Sequence, residues 1–165
     1  MRRALSLAVV ASALVLAGAG VAIAHCEIPC GIYGDMMRIA LLQEDIATVE
    51  KSMEQVLELS KDPSANANQL VRWVNNKEEH CNKIQHTVTQ YFMTQRIKPV
   101  PSSDAEAYKA YLAKLAALHG MLIHAMKAKQ TTDPSHIASL RGLVDEFAEL
   151  YFNKEDLEHL REHHK

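Results

Sequence analysis

Two cysteines and a histidine crowd into six residues of this chain, His25-Cys26-Glu27-Ile28-Pro29-Cys30, followed by Gly31-Ile32-Tyr33. The run has no helical period, and its Pro and Gly favour a hook or tight turn. If the mature chain begins at His25, four donors lie on one short strip. They are the free α-amine, the Cys26 amide nitrogen, and the thiolates of Cys26 and Cys30. Amine and amide of successive residues close a small chelate ring on a metal, and the Cys26 amide and thiolate close another. Such rings enforce a planar set of nitrogen and sulfur donors, which suits Ni(II) or Cu(II) rather than tetrahedral zinc. The His25 imidazole can reach an axial position, and Pro29 and Gly31 let the chain curl so that Cys30 completes the plane. Two thiolates and an anionic amide push electron density onto the metal and stabilise its oxidised state, as one-electron catalysis requires. The plainer reading of Cys26 and Cys30 in an oxidising compartment is a disulfide.

The free amine depends on what precedes it. Met1-Arg2-Arg3 is cationic, and residues 4–24 are apolar but for Ser and Gly. Ala22-Ile23-Ala24 is the small-x-small pattern that signal peptidase reads. Residues 1–24 are therefore expected to be a cleaved export signal, delivering the protein to the periplasm or the exterior. An uncleaved membrane anchor is the alternative.

The rest of the chain must position the hook, and it reads as helices. Ile39, Leu42, Ile46, Val49, Met53 and Val56 fall at alternating three- and four-residue steps, until Asp62-Pro63 stops the run. Leu70, Trp73, Val74, Lys77, Cys81, Ile84, Val88 and Tyr91 continue the same spacing to the break at Lys98-Pro99-Val100-Pro101. Ser103 and Glu106 form a capping box for a third helix, with a seam of Tyr108, Leu112, Leu115, Leu118 or His119, Leu122 and Met126. After Thr132-Asp133-Pro134 a fourth helix aligns Ile137, Leu140, Val144, Phe147 and Tyr151, continuing through Leu157 and Leu160. Short connections predict an all-α fold, an antiparallel up-down four-helix bundle over about residues 35–160 that carries the hook of residues 25–33.

Composition removes other classes. Of 165 residues, 18 are Lys or Arg and 20 Asp or Glu, a net charge of −2, so no basic surplus exists to bind nucleic acid. Six Gly and five Pro with 48% hydrophobic residues exclude collagen-like and disordered chains. Aromatic residues are sparse, at 5%, which suits helix bundles better than β-sandwiches. No C-x-x-C-H occurs, which excludes a c-type haem bundle, and no nucleophile–base constellation supports a hydrolase. Cys81 falls on an apolar seam and reads as a core residue. His80, His86, His119 and His124 read as surface or seam residues, and His159, His163 and His164 as part of a solvated tail.

The run H-C-E-I-P-C-G-I-Y resembles the H-C-x-x-P-C-G-x-Y hook of the nickel superoxide dismutase family. Arg38, Thr48-Val49-Glu50-Lys51-Ser52-Met53, Asn76-Lys77-Glu78 and Gln95-Arg96-Ile97-Lys98-Pro99 look like the variant of that family found in marine bacteria. The resemblance implies disproportionation of superoxide to dioxygen and hydrogen peroxide, with one nickel ion per subunit cycling between its two- and three-plus states. It implies His25, Cys26 and Cys30 as ligands, Tyr33 as the gate to the vacant axial face, and Pro29 as the residue that fixes the turn. Lys98 matches a basic residue that draws in the anion. Some members steady the axial histidine with a Glu on the first helix paired to an Arg on the second. Ala40 and His80 stand at those positions here, and Glu44 and His80 are the candidate substitutes. The family forms homohexamers, and no membrane partner is expected for this chain once the leader is removed. The competing reading is a non-enzymatic envelope protein that stores nickel or copper, or senses stress.

Overall fold

The structure, a computed structural model, describes residues 33–163. The leader, and all of the hook except Tyr33, fall outside the described residues. Among the described residues every regular element is helical: α1 (Asp35–Leu59), α2 (Pro63–His86) running on as a π-helical stretch (Thr87–Arg96), α3 (Ala105–Gln130), α4 (Ser135–Tyr151) and a short α5 (Lys154–His163). None of them is long and apolar enough to cross a membrane.

Sequence chemistry explains the helix ends. The Asp62 carboxylate accepts the Ala65 N–H at 3.1 Å, and Pro63 takes the first position of α2, where its missing N–H costs nothing. The expected box on Ser103 does not cap α3. A turn in which the Asp104 N–H donates to the Pro101 carbonyl (3.1 Å) puts Asp104 at the cap instead, and its carboxylate accepts the Ala107 N–H. The fourth helix was expected to run on to Leu160. It stops at Tyr151 because Phe152 is extended, and the Asn153 side chain caps a separate α5 by accepting the Asp156 N–H.

Helix α1 packs on α2 and α4, and α3 packs on the same two, so the four long helices close a ring around one core. Leu42, Ile46 and Val49 of α1 meet Cys81, Ile84 and Val88, Leu118 and Met121, and Leu140, Val144 and Phe147, all fully buried. The α1 seam is the one the spacing predicts as far as Met53. The α2 seam holds only from Lys77 onward, since Leu70 and Trp73 are half-buried and Val74 is exposed. The α3 seam differs more. Leu112 and Met126 face outward, and Ala117, Ala125 and Ala128 are buried instead. A Cβ on Gly120 would lie 2.9 Å from the Leu143 methyls, so small residues let α3 lie close against α4 and turn its buried face. Cys81 is a core residue as expected, its thiol pushed up to about 11 by burial.

Lys77, on the buried seam, is satisfied as a cation. Its ammonium donates to the carbonyls of Ala128 (2.9 Å), Lys129 (2.6 Å) and Thr131 (3.0 Å). Those carbonyls sit at the C-terminal end of α3, where helix ends leave acceptors unpaired and favour positive charge.

Candidate functional site

Tyr33 and Gly34 join the hook to α1, and the body holds them tightly. The Gly34 N–H donates to the Tyr91 hydroxyl at 3.0 Å, and that hydroxyl donates to Asp35 Oδ1 at 2.6 Å. The Tyr151 hydroxyl donates to Asp35 Oδ2 at 2.8 Å. Arg96 closes the cluster as a fork, Nε 2.9 Å from Oδ1 and Nη2 2.5 Å from Oδ2. One carboxylate at the start of α1 thus ties the end of the π-helical stretch to the end of α4. Bidentate geometry of this kind is the strong form of an ion pair.

The Arg96 guanidinium also lies over the Tyr33 ring, 4.1 Å from its centroid, and Tyr33 meets Tyr91 edge-on at 6.1 Å. The Tyr33 ring is thus held by a cation on one face and an aromatic edge beside it, while the residue stays 41% exposed. Phe92, Phe147, Tyr151 and Phe152 extend the contact inward, each ring meeting the next at 4.9–5.8 Å. Six of the chain's nine aromatic residues therefore sit at the end of the body to which the hook is joined.

The π-helical stretch explains how Tyr91 and Arg96 reach the same carboxylate. Residues five apart on an α-helix point about 140° away from each other. The i→i+5 pairing, seen where the Ile97 N–H donates to the Phe92 carbonyl (2.9 Å), brings them onto one face. The hydroxyl of Thr94 and the amide of Gln95 donate to carbonyls five residues earlier, those of Thr89 and Gln90, and support the wider turn.

Charge follows geometry. Burial alone would raise the Asp35 carboxyl, but the hydrogen bonds from Arg96, Tyr91 and Tyr151 outweigh it and hold it below its ordinary value. Burial, and then the hydrogen bond to Asp35, push both Tyr91 and Tyr151 up to about 12, so both remain donors.

A second polar region lies between α1 and α2, in an open groove of about 580 Å³. Both Glu44 and His80 line it, but the carboxylate that His80 binds is Asp45, at 2.7 Å from Nδ1. Glu44 is exposed beside them. Lys98 is exposed two residues beyond the π-helical stretch. His25, Cys26, Pro29 and Cys30 lie outside the described residues, and among the described residues no three His, Cys, Asp or Glu side chains come together where they could hold a metal.

Asp35, Tyr91, Tyr151 and Asp45 carry parts of these regions that no motif had marked. Asp45 was open to discovery, since it sits between Leu42 and Ile46 on the apolar stripe of α1, where an acid needs a partner.

A family model described as nickel-containing superoxide dismutase matches residues 20–155, a span that includes the whole hook and both polar regions. No curated protein and no solved structure matches the chain.

Proposed function

The chain belongs to the nickel-containing superoxide dismutase family, and we propose that it builds its nickel centre from its own residues 25–33. Membership makes it an oxidoreductase with a nickel cofactor, which disproportionates superoxide to dioxygen and hydrogen peroxide. It also favours the enzyme over the metal-storage reading.

The donor set fits nickel: soft thiolates from Cys26 and Cys30 join nitrogen donors, the amine and imidazole of His25 and the amide of Cys26, in a strongly donating set. Nickel held there would supply the one-electron exchange that disproportionates superoxide to dioxygen and hydrogen peroxide. Pro29 shapes the turn that brings Cys30 back. Tyr33 controls which anions approach, and its hydroxyl orders water that can deliver protons. Asp35, Tyr91 and Arg96 are positioning residues, which act by holding the Tyr33 ring. Lys98 attracts superoxide on a chain whose net charge is −2. His80, with Glu44 in the same groove, stands in for the Glu–Arg pair of other members, with Asp45 as the carboxylate that orients it.

The body is an antiparallel four-helix bundle, supported by its ring of four long helices. It assembles as a homohexamer, and the exposed apolar pair Met37 and Leu41 on one face of α1 supports subunit contacts beside Tyr33. Signal cleavage after Ala24 both exports the chain and frees the amine of His25.

The observation that carries this reading is that the family match runs through the hook. Its test is to replace Cys26 or Cys30 with Ser and follow nickel content and superoxide dismutation together. Each variant should lose both, and normal turnover in either would overturn the ligand assignment.

A further inference from the structure

His124 and His136 belong to neither polar region, yet they face each other across the α3–α4 turn. Their Nδ1 atoms are 3.3 Å apart and their ring centroids 5.4 Å apart, so the rings are aimed nitrogen to nitrogen. A neutral pair at that separation shares one N–H···N hydrogen bond. The same separation also suits chelation, in which the shared proton leaves and a metal ion takes its place. An ion about 2.05 Å from each nitrogen, the usual zinc–imidazole distance, would subtend an angle of about 107° between them, close to tetrahedral.

We propose that His124 and His136 form a second metal site, which takes a zinc-class divalent ion and clamps the end of α3 to the start of α4. Both side chains are half-buried, on elements fixed by the core residues Ala125 and Ile137 beside them. No third protein ligand joins them among the described residues, so water completes the coordination and the ion is exchangeable. Asp133, on the turn, accepts the Ser135 N–H at 2.9 Å and lies close to His136, whose backbone N–H donates to its carbonyl at 3.3 Å. The tetrahedral angle separates this site from the hook, whose donors favour a planar ion.

The test uses the full mature chain with Cys26→Ser and Cys30→Ser, so that the hook thiolates do not compete. Zinc chloride is titrated by calorimetry, and Tm is followed with and without zinc. A hundredfold excess over Kd should raise Tm by about 5–10 °C. His124→Ala and His136→Asn should each lose one zinc equivalent and the whole thermal shift. His119→Ala, an exposed histidine of the same helix, should lose neither. Circular dichroism confirms that the variants fold, and His136→Asn, at the second residue of α4, keeps the reading testable should His124→Ala unfold. A zinc-dependent thermal shift that survives His136→Asn, or no shift in the parent, would overturn the site and leave a hydrogen-bonded histidine pair.

Discussion

Asp35 and Asp45 stand ten residues apart on α1 with nearly the same side-chain exposure, 14% and 13%, and their environments act in opposite directions. At Asp35 a permanent guanidinium and two tyrosine hydroxyls outweigh burial, and the carboxyl is held low. At Asp45 burial outweighs the contribution of His80, and the carboxyl is pushed up. The partners differ, and so does depth, since Asp45 is the more deeply buried of the two and has Glu44 beside it. Arg96 stays charged at any working pH, whereas His80 is a cation only when protonated. The Asp35 cluster is thus a fixed clamp at the hook's attachment point, and the Asp45–His80 groove is a pair whose charge can change.

Removing each carboxylate should separate the two regions most sharply. Asp35→Ala strands a partly buried Arg96 and two hydroxyls, and should cost about 3–5 kcal/mol of stability in urea unfolding. Asp45→Asn keeps the shape and a hydrogen-bonding side chain beside His80 while removing a poorly compensated charge. It should change stability by less than about 1 kcal/mol. Equal costs would contradict the claim that Arg96 and the two hydroxyls set the Asp35 region apart.

The pH dependence carries the same contrast with opposite signs. Asp35, lowered from its ordinary 3.8, stabilises the fold fully above that value and loses the contribution as pH falls through its lower folded value. Asp45, raised from 3.8, penalises the fold when ionised, and that penalty is relieved as pH falls through its folded value and past 3.8. Urea midpoints measured from pH 6 to pH 3 should therefore fall less steeply in Asp35→Asn and more steeply in Asp45→Asn than in the parent chain.

Tyr33→Phe should have the smallest effect on stability, under about 0.5 kcal/mol, because the ring keeps its place under Arg96 and against Tyr91. Its effect should fall on inhibition by small anions, with nickel content unchanged. Loss of nickel in this variant would make Tyr33 part of the metal site rather than its gate.

The donor set proposed for residues 25–33 rests on sequence alone, because chelation depends on neighbours in sequence: amine, amide and thiolate follow one another. The α1 seam and Cys81 were open for a related reason, since a regular period survives wherever packing does not alter the helix. The clamp on Asp35 was hidden because its partners lie 56, 61 and 116 residues away. The π-helical stretch was hidden too, because its wider turn is held by contacts that leave no mark on apolar spacing. The outward turn of Leu112 and Met126 depended on how closely Gly120 and the buried alanines let α3 approach α4. A one-dimensional pattern does not contain that distance.

The most direct test of the central claim, that the catalytic centre is built from the freed terminus at His25, is native mass spectrometry of the mature protein isolated from nickel-fed cells. A chain beginning at His25 and carrying one nickel per subunit in a hexamer is the expected result. A chain with any other first residue that still binds nickel and dismutates superoxide would contradict it, because the amine ligand would be lost.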